Sequence, residues 1–199
     1  GSIFIGVTLY GVFSASLSSG IESISEINGG LKCERVSTPV LVKADFTYRL
    51  VDIIFRTAPT SFVLVLGFGV VPSGALCYLF VAQIMGHLVM GLGFYISPFI
   101  ARIDDIKSLI KYALRIGFYA SPTMIPMSRM AEFPLLYRIN QYNPFTYFVE
   151  LIREFSEFPS EFSNLSQPTF TVILLFLFVT TFFGTRWLDD LRWRMTAWS

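Results

Sequence analysis

The chain has 199 residues, of which 53% are hydrophobic, 17% aromatic and only 15% charged. Soluble domains carry about 25% charged residues, so the composition excludes both a water-facing globule and a disordered chain. Fifteen basic residues against fourteen acidic ones leave a net charge of +1, and nothing in that balance favours nucleic acid as a partner.

The N-terminal Gly1-Ser2 has neither an initiator Met nor a basic n-region before the first apolar run. That run does not read as a signal peptide, and the expectation is that a native N-terminal part precedes it. A bilayer core of roughly 30 Å needs about 20 apolar residues in a helix. Five stretches are expected to span: Ile3–Ser18, Ile53–Val71, Ala75–Ile100, Ile106–Ser121 and Thr169–Gly184. Lipid offers backbone amides no partner, so these should be helices. The fold expected is an all-α integral membrane protein, a single permease-like domain over 1–199. It has five transmembrane helices here and six in the native chain, with a re-entrant amphipathic helical hairpin.

Orientation follows from the connections. Residues 19–52, the turn and early helix at 101–111, and the tail from 185 together hold ten Lys and Arg, including all four lysines. The other side has Arg129, Arg138 and Arg153. The basic side is therefore read as cytoplasmic, with the N-terminus outside.

The connection 19–52 mixes Glu22, Glu26, Lys32, Glu34, Arg35, Lys43 and Asp45, with a turn signal at Asn28-Gly29-Gly30. It reads either as an interfacial helix that docks a cytoplasmic partner or as a solvated loop. In the second span, Asp52 and Arg56 stand at i,i+4, the spacing of a helical ion pair. His87 is the one histidine, set among glycines in the third span. It is either a functional ionisable group or a packing residue bonded to a neighbour. Asp104-Asp105 reads as an N-cap for the fourth span. Arg115, two turns further on, either faces a watery path and meets an anionic diphosphate or snorkels to the surface. Around Asn143-Pro144, Asn is a good N-cap and Pro suits the first helical position. Phe145, Phe148, Leu151, Ile152 and Phe155 then fall on one face, with Glu150, Arg153, Glu154 and Glu157 on the other. That is an amphipathic helix too short to span, placed at the interface or in a re-entrant hairpin. The tail Arg186…Arg192-Trp193-Arg194 reads as an interface anchor.

The order of these features resembles the permease subunit of type 2 ABC exporters, in particular those exporting polysaccharides such as O-antigen, teichoic acid or galactan. Four stretches carry the likeness. Gly29–Pro39 looks like the family's Lys-x-x-Phe-Pro stretch, with Lys32 and Pro39 in place and Thr38 where an aromatic stands. Ile103-Asp104-Asp105-Ile106 is similar to its Arg-Asp-Ile turn, with Asp104 where Arg is common. Phe118-Tyr119-Ala120-Ser121-Pro122 resembles its Phe-x-x-Ser-Pro. Asn143-Pro144-Phe145-Thr146 followed by Arg153 resembles its Asn-Pro-hydrophobic-Thr…Arg.

The resemblance implies a homodimeric permease in the bacterial cytoplasmic membrane, driven by a cytoplasmic ABC ATPase subunit that binds the ATP. It implies coupling contacts at Glu22, Glu26, Lys32, Arg35, Asp104 and Asp105. It also implies an outer gate at 123–168 formed by Asn143, Pro144, Phe145, Phe148, Leu151 and Arg153, and a lipid-linked glycan moving between subunits. Arg115 and His87 are candidates to line that path. No Walker A sequence, catalytic constellation or metal motif is present, so no cofactor of its own and no enzymatic role are expected. The nearer alternative is a type 2 exporter of a drug or small lipid. The further one is an intramembrane glycolipid-modifying enzyme, for which Glu150, Glu154, Glu157 and Glu161 would be the outer-side acids.

Overall fold

A computed structural model describes the backbone of residues 1–29, 38–100 and 104–196, and side chains within 1–23, 40, 42–100, 106 and 108–187. Among the described residues there are eight α-helices and no strand. The chain is an all-α, membrane-embedded protein. Four helices are long and apolar enough to cross a bilayer: α1 (Ser2–Gly29), α2 (Thr38–Phe68), α3 (Pro72–Ile100) and α8 (Gln167–Thr196). Between them lie α4 (Asp104–Ala120) and the short α5 (Met127–Met130), α6 (Pro134–Asn140) and α7 (Pro144–Phe155), with a 3-10 turn at Phe162–Asn164.

Helix α3 is the centre of the bundle, packing on α1, α2, α7 and α8. Half of its most apolar stretch is buried, against 17% of that in α8, so α8 is peripheral and meets lipid. Close approach to α1 depends on glycine. A Cβ built on Gly93 would fall 2.8 Å from the Cα of Gly20, so the two backbones touch where neither has a side chain. The principal core gathers Ile5, Leu9, Val12, Ile53, Leu64, Tyr78, Met85, Phe145, Phe148 and Ile152 from four helices, α1, α2, α3 and α7.

The structure corrects the expected span at Ile106–Ser121. Helix α4 has only 17 residues, about 26 Å at the α-helical rise, and is not long and apolar enough to count as a crossing helix. It still runs the height of the bundle, antiparallel to α1. Lys111 meets Glu22, Tyr10 meets Leu114, and Gly6 lies against Thr123. Its charged side chains broke the apolar window. Leu109, Tyr112, Ile116 and Tyr119 form an exposed apolar stripe on the same helix.

The connection expected at 19–52 is also mostly helix. Helix α1 continues to Gly29 and α2 starts at Thr38. The segment was read as either an interfacial helix or a solvated loop; Glu and Lys are good helix formers, and both flanking helices continue into it. Residues 30–37, including Lys32 and Arg35, lie outside the described residues, as do the side chains of Glu26, Asp104 and Asp105.

Candidate functional site

Two regions bring the predicted residues together. The first is the segment 122–166, which caps the end of the bundle where α1, α3 and α8 begin. Here Asn143 caps α7 as expected: its Oδ1 accepts the Phe145 amide at 3.1 Å, and Pro144 takes the first helical position. Asn140 is the hub that ties the hairpin together. Its amide donates to the carbonyls of Ala120 at 2.7 Å and Leu136 at 3.0 Å. Its Oδ1 accepts from Asn143 Nδ2 at 3.2 Å and Thr146 Oγ1 at 3.3 Å. One buried amide thus joins the end of α4, helix α6 and the start of α7. Sequence reasoning missed Asn140; its place three residues before another Asn was the available signal.

The expected division of α7 into an apolar and a polar face holds only in part. Phe145, Phe148 and Ile152 are buried and Leu151 is half-buried against the core, as the pattern requires. Phe155, placed on the buried face, is 56% exposed. Glu150 and Arg153, placed on the polar face, are fully buried. They pair with each other instead: Arg153 Nη1 donates to Glu150 Oε1 at 2.7 Å. Arg153 Nη2 reaches the carbonyls of Thr123 at 3.3 Å and Ser2 at 3.5 Å. Glu150 Oε2 accepts the Glu161 amide at 2.8 Å, and Ser160 Oγ donates to the Glu150 carbonyl at 3.1 Å. Burial pushes the Arg153 guanidinium below its ordinary value, and the Glu150 carboxylate beside it opposes that. A buried charge is tolerated when paired and hydrogen-bonded. The pair locks α7 to the first residue of α1 and to the turn after α4. Glu154 accepts from Ser160 and Glu161 from Asn164.

The second region is the seam between α1 and α4. The Tyr10 hydroxyl donates to the Leu114 carbonyl, reaching it over Gly117, where a Cβ would lie 2.8 Å from the hydroxyl oxygen. The Tyr10 ring meets Phe118 and Phe145 edge-on, with centroids 5.3 and 5.1 Å apart. On one side of this contact runs a groove of about 410 Å³ lined by Tyr10, Ser14, Ser18, Lys111, Arg115 and Tyr119. On the other side a groove of about 270 Å³ reaches from Leu17 and Ile110 to Asn143 and Phe145. Arg115 therefore lines this groove, with Lys111 one turn before it on α4. Lys111 also stands 3.5 Å from Glu22, an exposed pair of small energetic value. That contact places Glu22, expected at the coupling surface, on the α1–α4 seam.

His87 is not in either region. Its Nδ1 faces the Gln83 carbonyl at 2.8 Å and its Nε2 the Phe46 carbonyl at 3.3 Å. Its ring stacks on Phe46 with centroids 5.5 Å apart. It joins α3 to α2, as a packing residue does. Beside it on α2, Asp52 accepts from Arg56 Nε at 2.9 Å, the expected pair, and also from Arg49 Nη1 at 2.7 Å. Gln83 Nε2 donates to the Leu50 carbonyl at 3.0 Å.

Among the described residues no group of His, Cys, Asp and Glu could hold a metal ion. The arrangement offers a basic, tyrosine-lined groove along a helix that lipid alone would not accommodate, and a capping hairpin pinned by a buried ion pair. No protein-family model and no curated protein matches the chain.

Proposed function

We propose that the chain is the transmembrane subunit of an ATP-driven exporter that moves a lipid-linked polysaccharide across the bacterial cytoplasmic membrane. Two copies would form the path, and a cytoplasmic ABC ATPase would hydrolyse the ATP. The observation that carries the reading is the groove between α1 and α4. Helix α4 sets Lys111 and Arg115 beside three hydroxyl-bearing side chains of α1, and within a bilayer each cation would cost about 2.5–3.5 kcal/mol on insertion scales. Such a face suits an anionic, hydrated cargo, with the diphosphate meeting the cations and sugars meeting Tyr10 and Tyr119. The exposed stripe Leu109, Tyr112, Ile116 and Tyr119 is where the second copy would close the path. The hairpin at the far end would be its outer gate.

The test is charge reversal of Lys111 and Arg115 together, both exposed and, among the described residues, with no ion-pair partner beyond Glu22. Surface polysaccharide should fall at least tenfold in a complemented deletion strain, while the protein still co-purifies with its ATPase. Normal polysaccharide with both substitutions present would remove the groove from the path. Loss of a drug or small lipid from the medium, with polysaccharide intact, would favour the other class of cargo.

A further inference from the structure

On the face of the bundle away from α1 and α4, helices α3 and α8 leave a groove of about 700 Å³. It is lined by Tyr95, Phe176, Val179, Phe183, Arg186 and Trp187. Its long part is apolar and opens outward along α8, where Phe176, Val179 and Phe183 are exposed. Its end toward the C-terminus carries the polar groups. Arg186 stands 19 residues after Gln167, about 28 Å along the helix, which is close to the full depth of a roughly 30 Å hydrocarbon core. The Arg186 guanidinium lies 4.4 Å over the Phe182 ring and has no ion-pair partner among the described residues. Trp187 stands edge-on to Tyr95 at 5.5 Å and to Phe99 at 5.2 Å. Aromatic rings with a polar tip collect at headgroup depth.

We propose that this groove is a site for one anionic phospholipid of the leaflet on the C-terminal side. An acyl chain lies along Phe176, Val179 and Phe183, and the phosphate meets Arg186. The charge fits the occupant: an exposed guanidinium at headgroup depth, next to an apolar slot, complements a phosphodiester with a fatty tail. Beyond Arg186 the tail carries two arginines and two aspartates, so the charge that meets the phosphate is that of Arg186 itself. The site is separate from the α1–α4 groove and does not rest on the transport reading.

The reporter is already in the groove. With Trp193→Phe and Trp198→Phe, Trp187 is the single tryptophan of the chain. The protein is reconstituted in phosphatidylcholine vesicles containing brominated phosphatidylglycerol or brominated phosphatidylcholine, and Trp187 quenching is followed. The parent should favour the anionic lipid about fivefold, the factor expected of one interfacial cation. Arg186→Gln should abolish the preference and leave chain binding. Val179→Phe, a change at an exposed position, should displace the chain and bring quenching by both lipids down to the level of random contact. Equal quenching by the two lipids in the parent would overturn the site. So would a preference that survives Arg186→Gln, or one that falls only with Arg192→Gln and Arg194→Gln.

Discussion

Replacing Glu150 by Gln removes one charge from a side chain with no exposure, keeps its shape, and leaves Arg153 fully buried beside an uncharged amide. The remaining contacts of Arg153 are two carbonyls at 3.3 and 3.5 Å, and its Nε has no partner. Breaking a buried pair by removing one member costs about 3–5 kcal/mol, because the other charge is left uncompensated. The Gln retains an acceptor for the Glu161 amide, so the loss falls on the ion pair itself. Arg153→Met should cost a similar amount by stranding Glu150. The double variant Glu150→Met/Arg153→Met should cost clearly less than the sum, since a buried pair replaced by apolar groups is often near neutral. Unfolding in mixed detergent micelles gives the three free energies. Protease cleavage within 122–142 shows whether the hairpin lifts before the bundle opens. A loss under about 1 kcal/mol for Glu150→Gln, or strict additivity in the double variant, would refute the reasoning, since neither fits a desolvated, coupled pair.

Asn143→Ala should cost about 1 kcal/mol through the lost cap of α7. Asn140→Ala, which removes donors and acceptors joining three elements, should cost about 2–4 kcal/mol in the same unfolding assay. Gly93→Leu should abolish the α1–α3 crossing and with it accumulation of folded protein, read by fluorescence-detected size exclusion; Gly11→Ala, which meets nothing within 4 Å, should be silent there. His87→Phe keeps the stack on Phe46 and loses two carbonyl contacts. It should cost about 1–2 kcal/mol and leave transport within twofold, and a complete loss of transport in folded protein would return His87 to the path.

The apolar helices were legible because hydropathy over about 20 residues reports a bilayer directly. The start of α7 was legible because Asn-Pro is local chemistry that needs no tertiary partner. The pair Asp52–Arg56 was legible for the same reason, whereas Arg49 joining it was not, since it had been assigned to a connection. What the sequence concealed was charge that is not on a surface. Helical periodicity sorts residues by polarity and so set Glu150 and Arg153 outside, although their i,i+3 spacing is also that of a pair that can be buried together. Charge likewise left 19–52 open between an interfacial helix and a loop, although α1 and α2 simply extend into it. Helix α4, read as a membrane span, runs the height of the bundle but falls short of a crossing helix in length and composition. Its apolar stripe was counted, with Lys111 on its early turns and Arg115 read as facing either a watery path or the surface; the α1–α4 groove that both line needed the tertiary packing.

The central claim is that the α1–α4 groove carries a charged glycan lipid. A photo-activatable phenylalanine analogue at Ser14 samples that groove, and the same group at Phe62, 66% exposed on α2, samples the lipid side. Illumination of living cells should yield a glycan-bearing adduct from Ser14 and none from Phe62. The Ser14 adduct should accumulate when the partner ATPase cannot hydrolyse ATP. Absence of the adduct at Ser14 in folded, membrane-inserted protein, or equal adduct at both positions, would contradict the account.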